Sequence, residues 1–283
     1  MQQQELRQLA RKLLEEGTVK VVIGYGQPVA GAPAFPVFIT DPAKVDLLVW
    51  NEQCFHNLTG YLKRKEIRAL GKPAIVVKGC DERTLVMLEK ESQIVRSDVY
   101  VIGMACSGVG DPLSAKCGYC EVHMPRFADV VIGQVDNPPV DPSARYAVLD
   151  EFLSAYPTPA ARMAYWQEEL GRCIKCYACR QICPLCYCER CIFDKNRPTC
   201  VDTSPTLKGN FGYHITRAFH LAARCIECEE CTRACPVGID LRLLNQSLSR
   251  GAETHFGFRA GMDSEAELVV GSYSLKDRED FIQ

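Results

Sequence analysis

The chain has 283 residues, of which 47% are hydrophobic, and its 33 Lys and Arg nearly balance its 35 Asp and Glu. This length suits two domains, each burying its own core. The balanced charge argues against nucleic acid and a membrane surface as partners. The first residues lack the pattern of a signal peptide, and no apolar stretch is long enough to span a membrane, so we expect a soluble, cytoplasmic protein.

The first half of the chain alternates expected helices and strands. The apolar pattern predicts a helix over residues 4–16 and, in chain order, strands over residues 19–23, 37–39, 74–77, 99–102 and 130–132. The apolar run 45–50 fits either a strand or a buried helix. Asp81 is expected to cap a helix between the third and fourth strands, an order that indicates a parallel crossover. Residues 1–140 are therefore predicted to form an α/β domain with a mostly parallel sheet.

The second half is expected to be a separate, cysteine-rich domain. Residues 137–142 contain three prolines and mark the expected boundary. Residues 141–250 are predicted to form a ferredoxin-type domain of helices and loops, in which a helix over residues 159–170 leads into the first cysteine cluster. Residues 251–283 have few apolar side chains and several charges, so we expect a partner-wrapping or loosely held tail there.

The chain contains 17 cysteines. In a reducing compartment such a set favours metal ligation over disulfides, and an odd number cannot be fully paired. Two segments share the pattern C-x2-C-x2-C-x3-C-P, which is typical of bacterial ferredoxins that bind two clusters. The first segment contains Cys173, Cys176, Cys179 and Cys183, and the second contains Cys225, Cys228, Cys231 and Cys235.

In this pattern three thiolates of one loop hold one 4Fe-4S cluster, and the fourth cysteine ligates the other cluster. The first cluster is therefore assigned to Cys173, Cys176, Cys179 and Cys235. The second is assigned to Cys225, Cys228, Cys231 and Cys183. This exchange of ligands requires the two clusters to lie close together, which suits electron transfer between them. Structural zinc sites are the alternative, but zinc needs neither the third cysteine of each loop nor the trailing Cys-Pro.

Four more cysteines lie between the two segments: Cys186, Cys188, Cys191 and Cys200. They suffice for one further site, for tetrahedral zinc or for another cluster. The alternative is that some are buried free thiols beside the clusters, and one of them could replace Cys183 as a ligand.

Five cysteines remain in the first half. Cys80 and Cys106 follow predicted strands, so both are expected at the carboxyl edge of a parallel sheet, where ligands bind. Cys117 and Cys120 form a C-x2-C pair within reach of that edge, and the four together predict a further cluster site, for up to four clusters in the chain. Cys54 is expected to be a buried thiol, with a role as substitute ligand as the alternative.

Three segments of the first half carry a resemblance. They are Lys78-Gly79-Cys80-Asp81, Gly103-Met104-Ala105-Cys106-Ser107-Gly108, and Lys116-Cys117-Gly118-Tyr119-Cys120 followed by residues 127–133. These segments resemble the β-subunit family of deazaflavin-reducing hydrogenases and formate dehydrogenases. The resemblance implies a subunit that binds flavin and clusters and passes two-electron equivalents between a soluble carrier and a chain of one-electron clusters. It also implies that Cys106, Cys117 and Cys120 lie near a cluster, and it makes FAD a candidate cofactor.

Electron transfer within a larger oxidoreductase is the function that these features favour. We expect an iron–sulfur subunit that relays electrons between redox centres of a hydrogenase, a formate dehydrogenase or a heterodisulfide-reductase-like flavoprotein. A flavin-dependent catalytic subunit that reduces a soluble carrier is the first alternative. A redox sensor is the second, although the sequence contains no recognisable DNA-binding element.

Overall fold

The computed structural model describes residues 1–136, 140–195, 197–198 and 201–271. Its first half is built on a five-stranded sheet in the order β2-β1-β3-β4-β5. The strands are β1 (Val21–Gly26), β2 (Phe35–Ile39), β3 (Pro73–Lys78), β4 (Tyr100–Met104) and β5 (Val130–Ile132). β2 runs antiparallel to β1, and the other neighbouring strands are parallel. The prediction of an α/β arrangement with a mostly parallel sheet is confirmed.

The interior strands of this sheet form the core of the first half. The Val and Ile side chains of β1, β3 and β4 are buried, as expected for parallel strands that are covered on both faces. The apolar face of α1 (Gln2–Glu15) packs against them. β3 and β4 end side by side, because Lys78 pairs with Met104 in the register. The residues that follow these strands therefore leave the sheet at one edge.

Two local predictions in this half are wrong. α3 (Gly79–Lys90) begins with Lys78 as its N-cap, so Asp81 is the third helical residue instead of the cap. The Asp81 carboxylate accepts a hydrogen bond from the Lys78 N–H at 3.3 Å and thus closes the first turn from inside the helix. The run 45–50 is neither strand nor α-helix. Pro42–Leu47 is a 3-10 helix that Asp41 caps by accepting from the Ala43 N–H, and extended backbone follows it.

The remaining elements are mostly helical. The remaining α-helices are α2 (Lys65–Leu70), α4 (Ala147–Ala155), α5 (Pro159–Gly171), α6 (Ala178–Gln181), α7 (Leu207–His220), α8 (Glu230–Arg233) and α9 (Arg242–Phe256). The helix predicted over residues 159–170 is confirmed as α5. A second core joins α4, α5 and α7 through Phe152, Trp166 and Tyr213. Within the ranges that the structure describes, no helix is both long and apolar enough to cross a membrane.

The segment expected to be a tail is packed as far as it is described. Residues 251–256 belong to α9, and Phe258 and Ala260 are buried against α3. The Arg83 Nε donates a hydrogen bond to the Ala260 carbonyl at 3.0 Å. Gly261, with a φ of +69°, allows this close approach, because a Cβ there would stand 2.1 Å from the Arg83 carbonyl oxygen. A few well-placed apolar residues thus hold the segment to the first half.

Candidate metal centres

The two cysteine segments of the second half share one backbone conformation. Lys175 and Tyr177 have φ values of 55° and 60°, and the equivalent residues Glu227 and Glu229 have values of 61° and 58°. Each loop then enters a short helix, α6 or α8. Left-handed backbone is unfavourable for residues other than glycine. Its repetition at matched positions therefore indicates that the surrounding structure imposes the same backbone conformation on both loops.

Hydrogen bonds to sulfur repeat in the same way. The Lys175 N–H donates to the Cys173 Sγ at 3.4 Å, and the Glu227 N–H donates to the Cys225 Sγ at 3.4 Å. The Ile239 N–H donates to the Cys235 Sγ, also at 3.4 Å. Donors of this kind favour the thiolate form of a cysteine, which is the form that binds metal.

The second thiol set consists of Cys183, Cys225, Cys228 and Cys231, and all four line one cavity. Cys183 comes from the first segment, whereas the other three come from the second. Burial and the neighbouring Cys231 raise the pKa of the Cys225 thiol to about 12. Burial favours the neutral form of the Cys225 thiol, and a bound metal offsets this penalty. The donor set therefore fits a 4Fe-4S cluster.

The first thiol set consists of Cys173, Cys176, Cys179 and Cys235. Burial, together with the charges of the other three thiols, raises the pKa of Cys173, so the four lie in one neighbourhood. Cys179 is buried and Cys176 is exposed, so this set extends from the core to the surface. Burial and the neighbouring thiols of Cys183 and Cys179 raise the pKa of Cys231 to about 11. Because Cys179 belongs to the first set and Cys231 to the second, the two sets lie side by side.

One face of α7 lies against the first thiol set, a feature that the sequence analysis missed. Its polar side chains follow the helical spacing i, i+3, i+4, i+7: Asn210, Tyr213, His214 and Arg217. The Tyr213 Oη lies 3.5 Å from the Cys179 Sγ, and the His214 Nε2 lies 3.3 Å from the Cys173 Sγ. Burial lowers the pKa of His214 to about 4, so its ring is neutral at neutral pH.

The N-terminal thiol set consists of Cys80, Cys106, Cys117 and Cys120, and all four line one cavity with Lys78 and Lys116. Cys80 lies in the first turn of α3, and Cys106 follows β4, as the strand order predicts. A hydrogen bond between the thiols of Cys80 and Cys120 lowers the pKa of Cys80 to about 7. Lys78, which is buried, and the half-buried Lys116 place positive charge beside the four thiols.

Cys54 lies apart from this set. It is 0% exposed within the core of the first half, as expected for a buried thiol. Burial raises its pKa to about 11. Its Sγ accepts a hydrogen bond from the Asn51 N–H at 3.5 Å. These contacts give Cys54 a packing role.

Three cysteines of the insertion line a second, larger cavity of about 660 Å³, and they are Cys186, Cys188 and Cys191. Aromatic rings and arginines form much of its wall, including Tyr187, Phe193, Phe219, Arg180 and Arg224. Cys186 shares a hydrogen bond with Cys183, so the larger cavity directly adjoins the second thiol set. The fourth predicted residue, Cys200, lies outside the described residues.

The N-terminal and second thiol sets meet at the contact between the two halves. The Lys116 Nζ donates to the Cys228 carbonyl at 3.3 Å, and the Tyr119 Oη donates to the Glu229 carboxylate at 2.5 Å. A further cavity is lined jointly by Cys80, Cys117, Cys120 and Cys228. The three sets therefore form a row, with the second set in the middle.

The described cysteines form no disulfides with one another. In the same residues, no three His, Cys, Asp or Glu side chains converge as the ligands of a single metal ion would. The thiols are instead spread around cavities.

These observations define a cysteine-rich α/β protein that gathers its thiols in adjacent sets. The chain is 22% identical, over 348 aligned positions, to the F420-dependent formate dehydrogenase subunit beta of Methanocaldococcus jannaschii, with 90% of this chain and 91% of that protein covered. It is 23% identical, over 362 positions, to the F420-dependent formate dehydrogenase 1 subunit beta of Methanococcus maripaludis, with 93% and 92% covered. No family model matches the chain. The resemblance to this β-subunit family that was predicted from the first half is confirmed, and the similarity extends over 90% or more of the chain.

Proposed function

We propose that this chain is an iron–sulfur electron-transfer subunit of an oxidoreductase complex. The convergence of Cys183 with Cys225, Cys228 and Cys231 on one cavity carries the proposal, because the two loops contribute as a dicluster ferredoxin requires. A 4Fe-4S cluster supplies one-electron transfer when bound. In this proposal residues 141–250 are the ferredoxin-type domain, residues 1–140 are the α/β domain, and residues 251–283 form a terminal segment.

The two C-terminal thiol sets would hold two clusters. Cys173, Cys176, Cys179 and Cys235 are the proposed ligands of the first. The matched left-handed residues of the two loops support equivalent sites. The exposure of Cys176 supports the first site as the point where an electron partner approaches, because its edge reaches the surface.

The N-terminal thiol set would hold a third cluster. Lys78 and Lys116 line its cavity and offset the charge of the thiolates. Its contact with Cys228 supports electron transfer onward from the second site. The row of three sets thus supports a relay from the surface at Cys176 to the carboxyl edge of the sheet.

The partner class follows from the relatives. Their names describe β subunits of F420-dependent formate dehydrogenases, which makes the catalytic subunit of a formate dehydrogenase the first partner to test. A hydrogenase and a heterodisulfide-reductase-like flavoprotein are the other partners of this class. In each case this chain would connect the partner's redox centre to another carrier.

A flavin-dependent catalytic subunit is the second candidate. The cavity beside Cys186, of about 660 Å³, lies within the range of roughly 300–1,000 Å³ that is typical of small-molecule sites. Its aromatic rings and arginines suit a planar anionic cofactor such as FAD. The adjoining second thiol set would then exchange electrons with that cofactor.

Anaerobic iron and flavin analysis of the purified chain tests both candidates. About eight iron atoms per chain supports the two C-terminal clusters, and about twelve adds the N-terminal one. Iron below about four atoms contradicts the proposed function. Released FAD favours the flavin-dependent candidate. Formate-dependent bleaching of the cluster absorbance, on addition of a formate dehydrogenase catalytic subunit, tests the partner.

A further inference from the structure

Arg217 on α7 is a buried cation that the electron-transfer assignment does not use. Its side chain lies in the wall between two cavities, because it lines both the cavity of the second thiol set and the larger cavity of Cys186. Arg217 is only 6% exposed. Its Nη2 donates to the Cys179 carbonyl at 3.0 Å, which anchors the guanidinium to the loop of the first thiol set.

The charges around Arg217 are thiols. Its electrostatic partners are Cys183 and Cys231 of the second set, Cys179 of the first set, and Cys186. The thiols of Cys231 and Cys186 are within hydrogen-bonding reach of the guanidinium. In the described part of the chain its Nε has no hydrogen-bond partner. No carboxylate of the described residues is among its ion-pair partners.

Neighbouring arginines, unlike Arg217, are paired with carboxylates. Arg180 pairs with Asp194 at 2.9 Å, and Arg242 pairs with Asp240 at 2.8 Å. Arg224 pairs with Glu91. A buried guanidinium without a negative partner is strongly unfavourable, so some anionic group must compensate Arg217. Among the described residues, the groups in reach are the thiols of Cys179, Cys183, Cys186 and Cys231.

We propose that Arg217 is a positioning residue that fixes one positive charge between the two C-terminal clusters and raises the reduction potential of both. The inference rests on the proposed function, because it requires both thiol sets to hold clusters. Reduction adds one negative charge to a cluster. A fixed cation in a region of low dielectric constant stabilises this added charge more than it stabilises the oxidised cluster. The position of Arg217 beside ligands of both sets extends the effect to each of them.

The test uses the full chain with its clusters, and the midpoint potentials are followed by electron paramagnetic resonance. Arg217→Gln removes the charge, whereas Arg217→Lys keeps it without the planar fork. Arg250→Gln is the control, because Arg250 pairs with Asp150 at a more exposed position away from the thiols. The wild type and the control should have the same potentials.

In Arg217→Gln, the ratio of reduced to oxidised cluster at a fixed potential should fall at least tenfold for both C-terminal clusters. For one electron this corresponds to about 59 mV. Arg217→Lys should lie between this variant and the wild type. The shift should persist at high salt, because buried charges are screened far less than exposed ones.

Unchanged potentials in Arg217→Gln overturn the inference, as does an equal shift in Arg217→Lys. Loss of iron from the glutamine variant alone supports it, since the charge is then needed to assemble the sites. Loss of iron from both variants overturns the inference, because it shows that the planar guanidinium of Arg217 has a structural role. A wild-type chain without iron overturns the proposed function itself, and that outcome is distinct from unchanged potentials in an iron-loaded protein.

Discussion

The C-terminal and N-terminal thiol sets are built in different ways. The C-terminal sets arise from a repeated loop, with the same cysteine spacing and the same left-handed residues in both copies. The N-terminal set joins the first turn of α3, the end of β4 and the 3-10 helix Ala115–Tyr119. Three cysteines of each C-terminal set come from one short loop and the fourth from the other loop, whereas the N-terminal set depends on the order of strands in the sheet. We therefore expect the C-terminal sites to tolerate distant changes better.

The buried cations of the two regions also differ. The Lys78 Nζ lies 2.6 Å from the Asp81 carboxylate and 2.6 Å from the Tyr25 hydroxyl, so its charge is already paired. Arg217, by contrast, is partnered by thiols. A paired charge acts weakly on its surroundings. Lys78 should therefore stabilise a reduced cluster at the N-terminal set less than Arg217 stabilises the C-terminal pair.

The largest expected effect comes from removing a C-terminal ligand. Cys231→Ala should abolish the second cluster, and Cys179→Ala the first, because a cubane held by three thiolates loses one of its four iron anchors. Each variant should lose about four or more iron atoms and its electron transfer with the partner. Iron analysis and cluster absorbance measure the loss.

Cys54→Ala is the matched control for these variants. Cys54 is also buried but lies outside the three thiol sets, so the iron content of this variant should equal that of the wild type. Wild-type iron in both Cys231→Ala and Cys179→Ala would defeat the ligand assignment. A loss in the control would instead favour Cys54 as a ligand.

A smaller effect is expected at the N-terminal set. Cys106→Ala should remove about four iron atoms and leave the signals of the C-terminal clusters intact, because the cavities are separate. Electron paramagnetic resonance of the reduced protein distinguishes the two regions. If iron content and spectra stay unchanged, the N-terminal set holds no cluster. Only the C-terminal sets would then bind metal, and the N-terminal thiols would be structural.

The sequence predicted the parts of these sites that obey local rules. Cluster chemistry limits cysteine spacing, and parallel strands bring Cys80 and Cys106 to one edge, so both features were visible in advance. The polar face of α7 was missed, because its residues gain their role only from packing against the first loop. Its spacing of Asn210, Tyr213, His214 and Arg217 was the available indication.

The error at Asp81 and the unpredicted packing of the terminal segment have separate physical reasons. An aspartate stabilises a helix start from the N-cap or from the third helical residue, so Asp81 did not define the boundary. The packing of residues 258–269 was missed because average composition hides a few buried side chains such as Phe258. The packing of these side chains depends on tertiary contacts that a single sequence does not display.

The dependence of the N-terminal set on tertiary structure can be tested at a glycine. A Cβ at Gly79 would lie 2.2 Å from the Val122 carbonyl oxygen. Gly79→Ala must therefore push α3 away from the segment that carries Cys120, at a cost of about 1–3 kcal/mol. Anaerobic urea unfolding measures the loss, and iron should fall only at the N-terminal set.

Gly118→Ala is the control, because Gly118 lies between Cys117 and Cys120 but a Cβ there would have no neighbour within 4 Å. Its stability and iron content should match those of the wild type. Equal stability of the two alanine variants would contradict the requirement for close packing at Gly79.

The smallest effect concerns the ion pairs that link the N-terminal set to α9 and the segment after it. Burial alone would raise the pKa of Glu121, but its bonds to Arg259 and Arg145 hold that pKa below the usual value. The carboxylate therefore adds stability above the pKa of an unfolded glutamate, and this stability disappears as the pH falls through the folded pKa. Glu121→Gln should cost less than about 1 kcal/mol at pH 7, because solvent screens a partly exposed pair. Urea midpoints at decreasing pH should converge with those of the wild type. A difference in urea midpoint that does not change with pH would show that the effect comes from packing. The charge of Glu121 would then not stabilise the contact between the N-terminal set and α9.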